Sequence, residues 1–243
     1  MRIAAEELLL ADRMAPITSN VGFVEAPAEA VCEAFVDGQR PLLARRDVEL
    51  TAEAVGGDLE AVLRRLLPLT NVERRRYLFV PTRSRWSAFF DNGHQGTDVF
   101  APVSFLSQEQ GWRGLRVLAV PHTYRRDGSG RYGGLALELY GPSPPADEFG
   151  HIRSIDLIND GGRWSFGVSG DPLPFEREEA YHARRKTDRF SLDLLAEYLE
   201  HLGVHAFDAS WYMPPGEQAL LVAKHGPASE RLREFTLAEA QRA

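Results

Sequence analysis

The stretch Ile152-Arg153-Ser154-Ile155-Asp156-Leu157-Ile158, Asn159-Asp160-Gly161-Gly162, Arg163-Trp164-Ser165-Phe166-Gly167-Val168 decides the class of fold. Asn, Asp and Gly tolerate positive φ, so 159–162 reads as a tight turn between two strands. Trp164, Phe166 and Val168 fall on one face of the second strand, as a period of two requires. A hairpin of this kind is antiparallel, and the chain upstream of it continues in the same style. Tyr132 to Tyr140 sets Leu135, Leu137 and Leu139 on one face, and Leu115 to Val120 is a strongly apolar strand. Between them, His122 to Gly130 is a polar, Arg-rich loop. Arg76 to Pro81 and Arg85 to Asp91 form another strand pair across Thr82-Arg83-Ser84, with Trp86, Ala88 and Phe90 sharing one face.

Helical signals surround these strands. Ile17 to Glu25 leads into a helix over Pro27 to Asp37, with Gly38 as its stop. Val48 to Val55 leads through Gly56-Gly57 into a helix over Asp58 to Leu67, capped by Asp58 and ended by Pro68. Further helices are expected over Asp98 to Gln110 before Gly111, over the charged run Phe175 to Lys186, and over Ser191 to Leu202 before Gly203. A strand over Ala219 to Lys224 and a polar helix from Ser229 complete the order. That order is neither a regular βαβ alternation nor an all-β pattern. It predicts an α+β fold with a largely antiparallel mixed sheet and helices packed on one face. One domain over 1–243 is expected, with Pro142, Pro144 and Pro145 marking 141–149 as a possible subdomain junction.

At 243 residues, 44% hydrophobic and 26% charged, the chain has the make-up of a globular protein, which excludes a disordered or collagen-like one. Its one cysteine, Cys32, excludes an intramolecular disulfide. No apolar run reaches the ~18 residues of a membrane span, and the acidic start around Leu8-Leu9-Leu10 is unlike a signal peptide. These features predict a cytoplasmic protein. Two lysines against 26 arginines fit the codon usage of a GC-rich bacterial genome. The net charge of −7 is uneven: 7 basic against 12 acidic groups in 1–70, 10 against 6 in 71–140, and 11 against 17 in 141–243. An acidic total argues against nucleic-acid binding, which draws most of its affinity from phosphate neutralisation.

The familiar phosphate loops, zinc-protease helices and nucleophile elbows are missing. The densest polar segment is Asp91-Asn92-Gly93-His94-Gln95-Gly96-Thr97-Asp98. Asp91, Asn92, His94 and Asp98 are candidate binding residues there. Asp91 orienting His94 as a general base is one chemistry, Asp91, His94 and Asp98 around a metal is another, and a turn followed by a helix cap is the structural alternative that is favoured over both. His201 and His205 are four apart, but Gly203 between them breaks the register that paired metal ligands need. In the charged run, Tyr181, Arg184 and Arg185 are a candidate contact surface, since Tyr and Arg are favoured interface anchors. No metal or cofactor is expected. The leading expectation is a non-enzymatic protein-binding domain, in one form an immunity-type inhibitor whose acidic charge steers it to a basic partner. A small-ligand pocket protein and a hydrolase-like enzyme using Asp91 and His94 are the alternatives.

Overall fold

A computed structural model describes residues 3–71, 75–142, 150–227 and 230–242. After three short 3-10 turns between Ala5 and Ser19, the elements are β1 (Asn20–Val24), α1 (Ala28–Ala44), β2 (Glu49–Val55), α2 (Leu59–Arg64), β3 (Leu69–Thr70), β4 (Arg76–Pro81) and β5 (Ser87–Asp91). Then follow α3 (Phe100–Gln110), β6 (Gly114–Val120), β7 (Gly134–Tyr140), β8 (His151–Asp160) and β9 (Arg163–Gly170). The chain closes with α4 (Leu192–His201), β10 (Ala219–His225), β11 (Glu234–Phe235) and α5 (Leu237–Ala240). Nine strands form one sheet in the order β2-β10-β4-β5-β1-β6-β7-β8-β9, while β3 and β11 pair separately. Every ladder is antiparallel. The fold is therefore α+β with a large antiparallel sheet. The hairpin of β8 and β9 turns on Gly161 and Gly162, at φ 56° and 89°, with the Gly162 N–H donating to Asn159 Oδ1 at 2.9 Å.

Strand alternation builds a core on each face of the sheet. Leu78, Val80, Trp86, Ala88, Phe90, Leu135, Leu137, Leu139, Ile155 and Leu157 point into the larger core. Tyr77, Phe79, Phe89 and Val222 point into the smaller one. Helices α1 and α3 share the smaller core, as an arrangement of helices on one face requires. Helices α2 and α4 contribute Leu59, Val62, Leu63, Leu195, Tyr198 and Leu199 to the larger core, so helices also cover the opposite face. The Trp86 indole N–H donates to the Leu202 carbonyl at 2.9 Å and satisfies one of the free carbonyls at the end of α4.

Glycines set where α3 lies. A Cβ on Gly114 would stand 2.4 Å from Ser107 Oγ and from Val103 Cγ1, and one on Gly22 would stand 2.9 Å from Val103 Cγ2. The bare backbone of β1 and β6 is thus the floor on which α3 rests. Gly38 has a similar use. It does not stop α1, which runs on through Pro41 to Ala44, because the Phe105 ring of α3 occupies the space a Cβ would take, 2.6 Å away.

Two other expectations change. The run from Phe175 to Lys186 is not one helix but 3-10 turns at Glu178–His182 and Lys186–Asp188. The Arg177 N–H leaves the local ladder to donate to the Tyr198 hydroxyl of α4, at 2.8 Å, which ties the segment to its neighbour. In place of a polar helix from Ser229, the chain forms β11 and the four-residue α5. Ser229 itself lies outside the described residues, as do 143–149 of the proposed junction. The strands on either side of that junction, β7 and β8, pair with each other. No helix among the described residues is long and apolar enough to cross a membrane.

Candidate functional site

The segment after β5 is built around Asp91. Its carboxylate is 1% exposed and accepts from Arg75 Nη1 at 2.5 Å, the Gly93 N–H at 2.8 Å and the Asp98 N–H at 3.1 Å. Burial pushes this carboxyl above its ordinary range, opposed by the Arg75 charge and the two amides. Asn92 accepts from the Arg76 N–H at 2.8 Å and donates to the Pro68 carbonyl at 2.9 Å. Thr97 accepts from the Asp91 N–H and donates to the Ile17 carbonyl. The His94 ring stacks on Phe235 with centroids 4.6 Å apart, and its backbone N–H donates to Thr70. Asp98 is exposed. Asp91 and His94 make no hydrogen bond to each other, so no oriented base arises from this pair. The polar groups close a turn and join β3, β5 and the approach to α3.

The second candidate group is divided by burial. Tyr181 is 8% exposed, whereas Arg184 and Arg185 are on the surface. The Tyr181 hydroxyl donates to Glu176 Oε2 at 2.9 Å and lies 3.2 Å from the Tyr198 hydroxyl. Glu176 also accepts from Arg153 Nε at 2.9 Å, Arg153 Nη2 at 2.6 Å and the Leu173 N–H at 2.9 Å. Arg153 and Glu176 side chains are 4% and 0% exposed, so this is a buried, fully paired network. Burial, reinforced by Tyr198 and Glu176, pushes the Tyr181 hydroxyl far above its ordinary range. Tyr181 thus anchors the segment 171–190 to β8 from within. His201 stacks on Phe175 and His205 packs edge-on against Trp211, so these two rings serve separate packing contacts.

Among the described residues, no three His, Cys, Asp or Glu side chains gather as a metal-binding group. Cys32 is buried in the smaller core, and burial raises its thiol pKa to about 11, away from reactive thiolate chemistry. A polar cleft of about 420 Å³ lies between β2, β10 and the end of α2. Its groups are largely paired with one another: Arg65 with Glu53 at 2.9 Å, Thr51 with His225 at 2.8 Å, and Arg76 with the carbonyls of Arg65 and Leu67.

A further candidate surface lies on the sheet. The smaller core ends at Tyr140 on β7, and no residue of β8 or β9 belongs to it. On that face Ser154, Asp156 and Ile158 of β8 and Gly167 of β9 are half-buried, and Ser165 and Ser169 are exposed. A charged row crosses the strands. Arg116 donates to Glu138 at 2.6 Å and to Asn20 at 3.0 Å, and Tyr140 donates to Glu138. Asp156 lies next to this row with no hydrogen-bond or ion-pair partner among the described residues. Burial and the neighbouring Glu138 charge raise its carboxyl pKa, against the pull of Arg116. Gly167 keeps the space beside it open, since a Cβ there would stand 2.6 Å from Asp156 Oδ2. Apolar Leu118 and Ile158 close over Gly134 on one side of the row, and Phe100 and Ile152, 36% and 39% exposed, flank the other. The sequence offers a signal for this face: Ser154 and Asp156 alternate with the buried Ile155 and Leu157. Comparison with protein-family models, with curated proteins and with solved structures finds no match to this chain.

Proposed function

We propose that this chain is a non-enzymatic protein-recognition domain, acting in the cytoplasm of a bacterium, which docks another protein on the open face of β6 to β9. The observation that carries the reading is Asp156: a half-buried carboxylate with no hydrogen-bond or ion-pair partner among the described residues, beside a second carboxylate, on a sheet face where no described residue of β8 or β9 joins the smaller core. Burial and the Glu138 charge penalise its ionised form, with Arg116 opposing, and a lysine or arginine from a partner offsets that penalty. Exposed apolar groups around a polar row match the make-up of interfaces, whose polar and apolar parts are interleaved. The net charge of −7 favours approach by a basic partner, as an inhibitory, immunity-type pairing needs.

The test is capture of proteins from extracts of the source cells on three immobilised baits: wild type, Asp156→Arg, and Glu200→Arg on the exposed side of α4. A partner held by the wild type and by Glu200→Arg, and reduced about tenfold or more on Asp156→Arg, supports the reading. The same protein held equally on all three baits, or nothing held by the wild type, overturns it.

A further inference from the structure

At the opposite end of the sheet, β10 ends and β4 begins near the turn that follows α1. Strand register sets Ala223 against Arg76, so Lys224 and Arg75 occupy adjoining positions on the neighbouring strands, on the face of Tyr77. The Lys224 ammonium lies 5.1 Å from the centre of the Tyr77 ring. It has no carboxylate, hydroxyl or carbonyl partner among the described residues. Arg46 comes from the turn after α1, which β10 approaches closely: a Cβ on Gly226 would stand 2.6 Å from the Asp47 carbonyl oxygen. Arg46 is exposed.

Of the carboxylates here, Asp91 is committed to Arg75 and two backbone amides, and Asp47, Glu49 and Asp98 are exposed. Burial, then the charges of Arg75 and Arg46, lower the pKa of Lys224, with Asp91 opposing. A partly buried ammonium beside the guanidinium of the neighbouring strand, with Arg46 adding positive charge, is stabilised by any group that brings acceptor oxygens. Arg75 uses one Nη on Asp91 and has further N–H donors in its fork. The face of Tyr77 holds the lysine in place without satisfying its three N–H donors.

We propose that Lys224, Arg75 and Arg46 form a binding site for a small oxyanion, a phosphate or carboxylate group, separate from the open sheet face.

The two lysines of the chain make the test direct. With lysine labelled at ¹³Cε, Lys224 and the exposed Lys186 give two signals in the full-length protein. These are followed during titration with inorganic phosphate, with acetate, and with chloride at matched ionic strength. The expected result is a saturable shift of the Lys224 signal with phosphate or acetate, while Lys186 drifts slightly and linearly. Saturation with phosphate alone assigns a phosphate site, and saturation with acetate assigns a carboxylate site. In the Arg46→Gln variant the dissociation constant rises about threefold or more, the weight of one exposed charge contact. Lys224 following Lys186 in every titration, chloride acting as strongly as phosphate, or an unchanged constant in Arg46→Gln overturns the site. Asp156→Arg leaves this titration unchanged, which keeps the outcome independent of partner docking.

Discussion

Replacing Glu176 by alanine removes a fully buried carboxylate that four donors share: two nitrogens of Arg153, the Leu173 N–H and the Tyr181 hydroxyl. What remains is a guanidinium, 4% exposed, whose other hydrogen bonds go to the carbonyls of Ser169 and Gly170. Breaking a buried pair by deleting one partner costs about 3–5 kcal/mol, because the surviving charge is uncompensated. That is a large part of the roughly 5–15 kcal/mol that holds a domain folded. Tyr181→Phe removes one donor of the four and leaves Glu176 satisfied, so it costs about 1 kcal/mol. Joint replacement, Arg153→Met with Glu176→Leu, removes both charges and costs less than Glu176→Ala alone. The assay is urea unfolding followed by tryptophan fluorescence, with the slope against denaturant checked for constancy. A loss below about 1 kcal/mol in Glu176→Ala at unchanged slope refutes the assignment of a buried, charge-compensating network. A double replacement as damaging as Glu176→Ala refutes the claim that the surviving charge carries the cost.

Three further outcomes follow from packing and charge. Gly114→Ala forces α3 off its floor, since Val103 and Ser107 are fully or nearly fully buried, and thermal unfolding should show a loss of about 1–3 kcal/mol. Asp156→Asn should raise stability at pH 7 by up to about 1 kcal/mol; its folded-state pKa is raised, so the ionised form is the penalised one, and the gain vanishes as acid protonates Asp156 in both states. The same variant should weaken partner capture. Glu25 has the opposite sign: Arg113, then Arg85, holds its carboxyl below its ordinary range. Glu25→Gln should therefore cost up to about 1 kcal/mol at pH 7, and the difference should shrink as pH falls below the unfolded carboxyl range and through the folded one, as pH-dependent urea midpoints would show.

The strands were legible because their local chemistry and their long-range pairing agree. The hairpin turn needs positive φ at Gly161 and Gly162, and the alternation of Trp86, Ala88 and Phe90 against Phe89 is the division between the two cores. Ser191 and Asp58 cap their helices as their residue types predict. The failures occur where tertiary contacts override local signals. Gly38 reads as a helix stop but serves helix crossing, a use set by Phe105, 67 positions along the chain. The charged run after Phe175 has helical spacing, but its backbone is drawn to Tyr198 and its Glu176 to Arg153. Two-residue strands such as β3 and β11 carry no periodicity to detect. In the segment 91–98, the residue types suited both a turn and a dyad, and only the direction of the Asp91 hydrogen bonds separates the two. Asp156 reads in the sequence only as a strand residue, because a carboxylate without a partner among the described residues is a property of neighbours on three other strands.

Photo-crosslinking in the source cells tests the central claim most directly. A benzophenone amino acid placed at Ser165, exposed on the open face of β9, is compared with the same group at Glu200 on α4. The account predicts a discrete crosslinked protein from position 165, absent from position 200 and lost when Asp156→Arg is added. Crosslinking of equal pattern from both positions, or none from position 165, contradicts the claim that this face of the sheet is where the protein meets its partner.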